Sequence, residues 1–195
     1  MNVSFRPAMD CAADLALLVG LYDDAARWMI GHGIDQWKPG EKDTDHFRRW
    51  IRQGEVWLAE AVEEAAEEAV GGWELWWEDV PAWGEQPPVA GYVHRLMTSS
   101  SAPAGTGRVL LDAAERRIAA AGRPLARLDC LATNPRLRAY YEEAGYAVVG
   151  EQTAKEGAGG DTYGVILLEK RLADTTVPRA RSKSGAGHGR SRSGG

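Results

Sequence analysis

Apolar residues recur along this chain with two different periods, and their order predicts which segments form helices and which form strands. Residues 3–7 alternate in polarity and end in a proline, a pattern typical of a short edge strand. The next segment has apolar residues every three or four positions, the spacing of one helix face: Leu15, Leu18, Tyr22, Ala25 and Met29. We expect Asp10 to cap this helix, and Gly31 and Gly33 to end it.

A second helix and then several strands are predicted in the middle of the chain. The helix begins at Asp43 or Thr44 and ends at Gly54. Its buried stripe is aromatic and aliphatic: Phe47, Trp50 and Ile51. Short runs rich in Val and Trp follow, and they predict antiparallel strands at residues 56–59, 72–77 and 89–97.

The segments between these strands are predicted to be connections. Residues 60–69 are rich in Glu and Ala and are able to form a helix, but they have little apolar face. This composition favours an enlarged, solvent-exposed hairpin connection over an acidic interaction arm. Residues 81–88 begin and end with proline, which predicts a loop.

The second half of the chain predicts a strand, a helix and a further strand in succession, as in a βαβ unit. A strand ends near Thr98, and Gly105-Thr106-Gly107 then leads into a helix that stops at Gly122. The apolar stripe of this helix has the spacing i, i+3, i+7 and i+10: Leu111, Ala114, Ile118 and Ala121. Residues 125–131 form the strand that follows.

The last elements are another helix and two strands. Asn134 is a favoured N-cap residue, and Pro135 is favoured at the first helical position, so together they mark a helix start. Gly145 ends that helix, and residues 146–149 and 163–168 supply the last strands. The complete order predicts an α/β (α+β) fold in which helices flank a mixed, mainly antiparallel central sheet.

Composition supports one folded domain followed by a tail of different character. A chain of 195 residues with 44% hydrophobic content is long enough to bury one core, which we assign to residues 1–173. Residues 174–195 are rich in Ser, Gly and Arg, so we expect a disordered basic tail there. Residues 175–195 hold five of the 23 bases and no acid, which leaves 18 bases against 28 acids and a formal charge of about −10 elsewhere.

The net negative charge outside the tail, called the acidic body below, indicates which partners to expect. It speaks against a general nucleic-acid binder and suits a cationic or amine-bearing substrate, so we expect no specific nucleic acid partner. A protein directed to nucleic acid by its basic tail is the alternative that this charge distribution leaves open. The sequence leaves a monomer and a homodimer equally open.

The spacing of the cysteines and the length of the apolar runs indicate the cellular compartment. Cys11 and Cys130 are far apart and have neither CxxC nor His-rich spacing, which argues against a disulfide scaffold and a structural zinc site; we expect no metal. The first residues have no apolar signal segment, and no apolar run approaches the ~18 residues of a membrane span. We therefore expect a cytoplasmic protein without a membrane partner.

The turn at Gly105-Thr106-Gly107 is the first candidate for chemistry, because a glycine turn at a helix N-terminus can hold phosphate. The first amides of a helix have no intrahelical partner, and the helix dipole adds roughly half a positive charge there. Arg108 adds a cation at the same end. The turn alone is also typical of a plain strand-to-helix connection. A P-loop is excluded because GxxxxGK[ST] is absent, and Leu110 replaces the third glycine of a dinucleotide fingerprint.

Several segments in this order resemble the GCN5-related N-acetyltransferase (GNAT) family. The matching pieces are Leu96-Met97-Thr98, Ala102 to Leu111, Leu128-Asp129-Cys130 and Asn134 to Tyr146, the last of which contains Tyr140-Tyr141-Glu142-Glu143-Ala144-Gly145. The order of strands and helices is also that of the family, and the resemblance covers about residues 3–171. It implies a GNAT-like acyl-CoA N-acyltransferase fold and an acetyltransferase that uses acetyl-CoA.

The resemblance also implies roles for particular residues. The strand before the glycine turn splays from its neighbour in the family, so main-chain groups around Leu96 and Thr98 would bind the pantetheine arm. The pyrophosphate would lie on the turn formed by Ala104, Gly105, Thr106, Gly107 and Arg108. Asn134 matches the asparagine that contacts the CoA arm. Tyr141 matches the tyrosine that donates a proton to the departing thiolate.

One departure from the family pattern leaves an alternative open. Ala102 stands where the family usually has Gln or Arg, and Pro103-Ala104 replaces the usual turn residues. Backbone donors do most of the pyrophosphate binding, so the site survives these changes. The alternative is a catalytically silent domain that binds acyl-CoA as a sensor or interaction module.

The expected reaction is direct attack of an amine of a small molecule, peptide or protein on the thioester. An amine with a pKa near 10 is mostly protonated at neutral pH, so a base is required. The candidates are Asp35, Glu74, His94 and Asp129, which the sequence does not rank. In the family the loop after the first helix usually covers the acceptor, which makes Trp37 the candidate substrate-binding residue. Cys130 lacks a paired base, so an acyl-cysteine route is not expected.

Overall fold

A computed structural model describes residues 2–62, 67–156 and 162–173, so the predicted tail lies outside the described residues. These residues form seven strands and five helices. They are β1 (Val3–Pro7), α1 (Ala12–Gly31), α2 (Thr44–Gln53), β2 (Glu55–Val62), β3 (Glu67–Trp76), α3 (Val80–Trp83), β4 (Ala90–Thr98), α4 (Thr106–Ala120), β5 (Leu125–Leu131), α5 (Pro135–Glu143), β6 (Ala147–Glu156) and β7 (Thr162–Arg171).

One seven-stranded sheet organises the described residues, in the order β1-β2-β3-β4-β5-β7-β6. Every neighbouring pair is antiparallel except β4 and β5, which are parallel and are joined through α4. A parallel pair needs a crossover connection, and the glycine turn and α4 supply it. The predicted fold class, a mixed and mainly antiparallel sheet flanked by helices, is confirmed.

Two apolar clusters pack on opposite faces of this sheet. On one face, Leu111, Ala114 and Ile118 of α4 are fully buried, as the predicted stripe requires, whereas Ala121 is the exposed C-cap residue. On the other face, α1 and α2 bury a second cluster that includes Leu15, Leu18, Tyr22 and Phe47. Each large aliphatic side chain buried in this way contributes roughly 1.5–3 kcal/mol. The sheet is therefore held firmly on both sides of its centre.

The predicted cap of the first helix is wrong. Cys11 is the N-cap residue of α1 and makes no side-chain capping bond. Asp10 instead accepts hydrogen bonds from Arg48 at 3.0 Å and Arg52 at 2.6 Å, both on α2. These charged donors form stronger hydrogen bonds with a carboxylate than a neutral amide does, so Asp10 joins two helices rather than capping one.

Two predicted connections also differ from the structure. The hairpin between β2 and β3 is confirmed, but most of residues 60–69 continue the ladder, with Glu60 opposite Ala69 and Val62 opposite Glu67. The predicted enlarged connection is therefore wrong for these residues; 63–66 lie outside the described part. The predicted loop of residues 81–88 overlaps α3, which Asp79 caps by accepting from the Ala82 amide at 3.2 Å.

The last two strands are longer than the predicted segments, residues 146–149 and 163–168. Their cross-strand pairs run from Ala147 opposite Glu169 to Glu156 opposite Thr162. Among the helices described by the structure, none is long and apolar enough to cross a membrane.

Candidate active site

The two parallel strands at the centre of the sheet separate soon after they meet. β4 and β5 pair only from Ala90 to Tyr92, opposite Leu125 to Arg127. Beyond this point β4 continues to Thr98 and β5 to Leu131 without further pairing. The strands thus leave a gap between their carboxyl ends, the predicted splay. The gap exposes main-chain donors and acceptors of two strands to any molecule that enters it.

A backbone irregularity shapes the β4 side of this gap. Arg95 has a φ of +44°, the only positive φ among the described non-glycine residues, and the β3–β4 register shifts between Gly72 and Glu74. Such a conformation costs about 1–3 kcal/mol and persists only when its surroundings hold it. Here the Arg95 guanidinium donates to Glu74 at 2.6 Å and lies 5.5 Å from the ring centre of Trp76. The bulge is therefore fixed by a buried carboxylate.

The glycine turn closes one end of the gap. Gly105 is the N-cap residue of α4, with a φ of +90° and nothing within 4 Å of the position a Cβ would take. A Cβ on Gly107 would lie 3.1 Å from the Tyr140 hydroxyl and 3.9 Å from the side chains of Leu96 and Thr98. The structure thus brings the turn together with the predicted β4 residues. The open space at Gly105 lets a phosphate approach the first amides of α4.

Thr106 and Arg108 fix the turn rather than facing open solvent. The Thr106 hydroxyl is buried and donates to the Pro103 carbonyl at 2.7 Å. Arg108 donates to the Tyr140 carbonyl at 3.2 Å, and its guanidinium carbon lies 4.7 Å from the centre of the Tyr140 ring. These contacts join the N-terminus of α4 to α5. Ala104 lies in the same turn, and its contact with the pyrophosphate stays a prediction.

Asn134 and Tyr141 are placed by α5. The Asn134 side chain accepts from the Leu137 amide at 3.0 Å, which confirms the predicted helix start. Tyr141 packs against the α4-side core, and its ring centre lies 5.3 Å from that of Tyr140 and 6.0 Å from that of Tyr146. Burial raises the pKa of Tyr141 well above its usual value, and the nearby Tyr140 adds to the effect. The hydroxyl therefore stays protonated at neutral pH, the state required of a proton donor.

Cys130 follows the expectation for a small buried residue. It is almost fully buried in the α4-side core, and both cysteines of the described structure are free. Burial raises the pKa of the Cys130 thiol to about 11, and the charge of Asp129 acts in the same direction. A thiol with this pKa is not a nucleophilic thiolate at neutral pH.

Glu74 is the most buried of the four candidate bases. It is fully buried on the α1–α2 side of β3 and accepts from His46 at 2.8 Å, Arg95 at 2.6 Å and Trp76 at 3.0 Å. Burial alone would raise its pKa, but the charge of Arg95 and the hydrogen bond from His46 outweigh burial and lower the pKa. Glu74 is therefore an ionised acceptor whose oxygens are already occupied.

The other candidate carboxylates occupy different surroundings. Asp129, on β5 at the far side of the gap, pairs with the Lys155 ammonium at 2.8 Å. Asp35 is exposed on the loop between α1 and α2 and makes no hydrogen bond to a described residue. The structure thus brings Glu74, His94 and Asp129 together at the gap and leaves Asp35 outside that group.

His94 lies between an aromatic ring and a buried carboxylate. Its ring stacks on Trp76 with centres 3.7 Å apart, and Trp76 stacks in turn on Trp50 at 3.7 Å. His94 Nε2 lies 3.0 Å from Asp79 Oδ2. One ligand atom each from Asp79, His94 and Asp129 also lies within 4.8 Å of the others, close enough to hold a cation, but Lys155 already places an ammonium on Asp129.

Trp37 is found where the loop after α1 folds back on the helix. Its ring stacks on Tyr22 with centres 4.9 Å apart and packs at the edge of the α1–α2-side cluster. Tyr22 donates to Glu41 at 3.0 Å, which ties the loop to α1. One face of Trp37 is thus covered, and its predicted contact with an acceptor stays a prediction.

Four residues of the site were not found from the sequence. His46 contacts Glu74, and Asp79 contacts His94. The partners in each pair are far apart in sequence, so no local spacing predicts them. Tyr140 precedes Tyr141 in the matching motif and was available as a second candidate. Arg95 follows His94 on a strand, where alternation places it on the opposite face; the bulge turns it back toward Glu74.

Comparison with known proteins gives one sequence relative and many structural neighbours. No family model matches the chain. Over 169 residues the chain is 30% identical to a Bacillus subtilis (strain 168) protein named uncharacterized N-acetyltransferase YesJ, covering 82% of this chain and 86% of the relative. A GNAT family acetyltransferase from Listeria monocytogenes 4b F2365 superposes with a TM-score of 0.68 at 25% identity, covering 87% of this chain and 95% of the other.

A more distant neighbour shows the same fold. The putative acetyltransferase yncA from Salmonella typhimurium, solved with its cofactor acetyl-CoA, has a TM-score of 0.61 at 18% identity and covers 92% of this chain and 99% of its own. The splayed central strands, the glycine turn and the extent of the match to the Bacillus protein lead to one conclusion. The chain belongs to the GCN5-related N-acetyltransferase family and is an acyltransferase.

Proposed function

We propose that this protein transfers the acetyl group of acetyl-CoA to a primary amine of a small molecule, peptide or protein, by direct attack of the amine on the thioester. The observation that carries the proposal is the gap between β4 and β5, which ends at the open glycine turn and has Tyr141 beside it. A gap of this kind suits an extended thioester. The acetyl-CoA in the Salmonella structure supports the choice of donor.

In this proposal the donor's pyrophosphate lies on the turn from Ala104 to Arg108. Its pantetheine arm follows the main chain around Leu96 and Thr98, near Asn134. The positive φ and open space at Gly105 fit a bulky anion better than a side chain, because any Cβ there would be strained and would occupy that space. The first turn of α4 adds the positive end of a 15-residue helix.

Tyr141 supplies the proton for the departing thiolate in this proposal. Tyr141 is half-buried, its hydroxyl is protonated at neutral pH because burial raises its pKa, and no described residue accepts a hydrogen bond from it. Trp37 lies on the acceptor side, where an aromatic face attracts an ammonium group. The acidic body favours the approach of such an acceptor. A cytoplasmic location, the absence of a metal and the choice between monomer and homodimer stay predictions.

A pair of glycine substitutions tests the placement of the donor. Gly105→Glu adds a carboxylate and a Cβ at the turn, so acetyl-CoA binding measured by calorimetry should fall at least ~100-fold, a loss of about 2.7 kcal/mol. Gly122→Glu is the matched control, because Gly122 also has a positive φ (+76°) and open space but lies at the opposite end of α4. Equal affinity in the two variants would place the donor elsewhere.

Thiol release with a panel of amines separates the enzyme from its alternative. The proposal predicts CoA release that depends on the added amine and yields the acetylated amine in equal amount. Binding of acetyl-CoA without turnover across the panel would favour a silent domain that acts as a sensor.

A further inference from the structure

We propose that His94, oriented by Asp79, is the base that takes the proton from the acceptor ammonium at the mouth of the β4–β5 gap. The inference rests on the proposed function, since it needs an amine acceptor. It adds a residue pair that the family resemblance did not supply, because Asp79 lies outside every matching segment.

The position of His94 meets the first requirement of such a base. It lies two residues after Tyr92, the last residue of β4 that pairs with β5, and so borders the opening of the gap. It faces Glu74 across the β3–β4 ladder, on the α1–α2 side of the sheet. Tyr141 packs in the cluster on the other side of the sheet. An acyl carbon held in the gap would therefore have its proton acceptor and its proton donor on opposite sides.

Asp79 determines which ring nitrogen of His94 is available. The side chain of Asp79 is almost fully buried; Oδ1 accepts from the Ala82 amide, and Oδ2 lies 3.0 Å from His94 Nε2. Burial would raise the pKa of Asp79, but the contact with His94 and the charge of Lys155 lower it, so the carboxylate is ionised. An ionised carboxylate can only accept, so the proton of a neutral His94 lies on Nε2.

The remaining nitrogen, Nδ1, then carries the lone pair. It makes no hydrogen bond to any residue that the structure describes. The Nε2–H direction is not yet aligned with Asp79 Oδ2, because the 3.0 Å contact falls short of hydrogen-bond geometry. A small rotation of the ring would complete the bond. The stack on Trp76, with an interplanar angle of 27°, limits the ring to such small movements.

The rival bases are less suited to accept a proton. Glu74 already accepts three hydrogen bonds and is fully buried, and Asp129 is paired with Lys155. His46 uses its Nε2 on Glu74. By elimination on these contacts, the Asp79–His94 pair is the group at the gap that combines a free lone pair with a carboxylate able to stabilise the resulting imidazolium.

The proton balance of the step is simple. The acceptor ammonium transfers one proton to His94 Nδ1 and becomes a neutral amine. The amine nitrogen forms a bond to the thioester carbonyl carbon, and the C–S bond then breaks. The nitrogen loses its second proton as the thiolate gains one, so the products are an amide and a thiol. His94 returns its proton to solvent, which accounts for the one proton released per turnover.

A cation site on the same residues is the competing interpretation. The ligand atoms of Asp79, His94 and Asp129 lie within 4.8 Å of one another, but the Lys155 ammonium is 2.8 Å from Asp129 and would repel a divalent ion. Lys155 therefore neutralises Asp129, and Asp79 is the carboxylate that contacts His94. Activity that is lost in EDTA and restored by Zn²⁺ would support the cation site and overturn the base.

The test measures kcat/KM against pH for His94→Gln with an amine that the wild type acetylates. General-base catalysis contributes ~10²–10⁴-fold, so kcat/KM at pH 7 should fall at least ~100-fold while acetyl-CoA affinity stays within about twofold. The deficit should shrink as pH rises toward the pKa of the amine, because solution then supplies the neutral form. His32→Gln is the control, since His32 is exposed at the end of α1 and stacks on Trp28.

Several charged groups surround His94. Asp79 precedes α3, Glu74 lies on β3, Arg95 on β4, Asp129 on β5 and Lys155 on β6. The test therefore rests on the difference in kcat/KM between the wild type and the variant at each pH, and not on the pH at which either rate changes. A deficit of equal size at every pH would indicate a structural role and overturn the proposal.

Asp79→Asn gives a second, independent variant. The asparagine oxygen can still accept from Ala82, so α3 keeps its cap, but its amide group donates to His94 and moves the ring proton to Nδ1. We expect kcat/KM to fall at least ~100-fold with acetyl-CoA binding retained, as for loss of the base. Activity within about threefold of wild type in both variants would overturn the inference. Absence of turnover in the wild type would instead overturn the proposed function itself.

Discussion

The buried carboxylate of Glu74 holds the strained bulge at Arg95, so replacing Glu74 should lower the stability of the folded protein. Glu74→Gln keeps the size of the side chain and one acceptor oxygen but removes the charge. The variant leaves Arg95 without its ionic partner while φ at that residue stays at +44°. It also turns one oxygen into an amide that donates, opposite either His46 or Arg95.

The expected loss follows from these contacts. Removing one partner of a buried ion pair destabilises a protein by about 3–5 kcal/mol, because the other charge stays buried and unpaired. Arg95 keeps its contact with Trp76 and is partly exposed, so we take the lower end, about 3 kcal/mol. For a domain of this size, 1 kcal/mol corresponds to roughly 2–4 °C, which gives a fall in Tm of roughly 6–12 °C.

Thermal unfolding followed by circular dichroism at several pH values is the assay. The pKa of Glu74 is lowered in the folded state, so its stabilising contribution is present above the unfolded pKa of about 4.3. That contribution disappears as pH falls through the folded value. The difference in Tm between wild type and Glu74→Gln should therefore be full at pH 7 and shrink below about pH 4.

Glu78→Gln is the matched control, because Glu78 is exposed near the end of the same strand and its replacement should leave Tm within about 1–2 °C. A Glu74→Gln variant that unfolds within the same margin as Glu78→Gln would refute the reasoning. A loss that is constant between pH 3 and pH 7 would refute it as well, because it would show that the charge of Glu74 is not responsible.

Further variants test the proposed roles of single residues. Tyr141→Phe should lower kcat by about 100-fold with acetyl-CoA affinity unchanged, and Tyr163→Phe, which alters an exposed tyrosine, should change neither; equal losses in rate and affinity would exclude proton donation. Trp37→Ala should raise the KM of the acceptor about tenfold, and an unchanged KM would remove Trp37 from the acceptor site. Arg108→Met should weaken acetyl-CoA binding about tenfold in calorimetry, since the variant loses both a cation near the turn and the contact with Tyr140; full affinity would contradict the anion site.

Local signals in the sequence were sufficient for the elements that form the proposed donor side of the site. A glycine turn before a helix, an Asn-Pro helix start and an apolar stripe are set by neighbouring residues, and Gly105, Asn134 and α4 lie where these signals predict. The splay also agrees with the family resemblance, since β4 and β5 stop pairing after Tyr92.

The proposed acceptor side depends on contacts that local patterns do not encode. His46 reaches Glu74 across 28 positions, and Lys155 reaches Asp129 across 26. Strand alternation alone does not account for the contact of Arg95 with Glu74, because the bulge depends on the partner strand and on the buried carboxylate that stabilises it. Asp10 failed as a cap for the same kind of reason: two arginines on another helix compete for it.

The central claim is that an amine attacks a thioester held between β4 and β5. The most direct measurement incubates the purified protein with acetyl-CoA and an amine panel, and follows both the CoA thiol and the acetylated amine by mass spectrometry. The account predicts that the two products appear in equal amounts, only when an amine is present, and that Gly105→Glu abolishes both whereas Gly122→Glu retains them. Thiol release without an acetylated amine, or equal turnover in the two glycine variants, would contradict it.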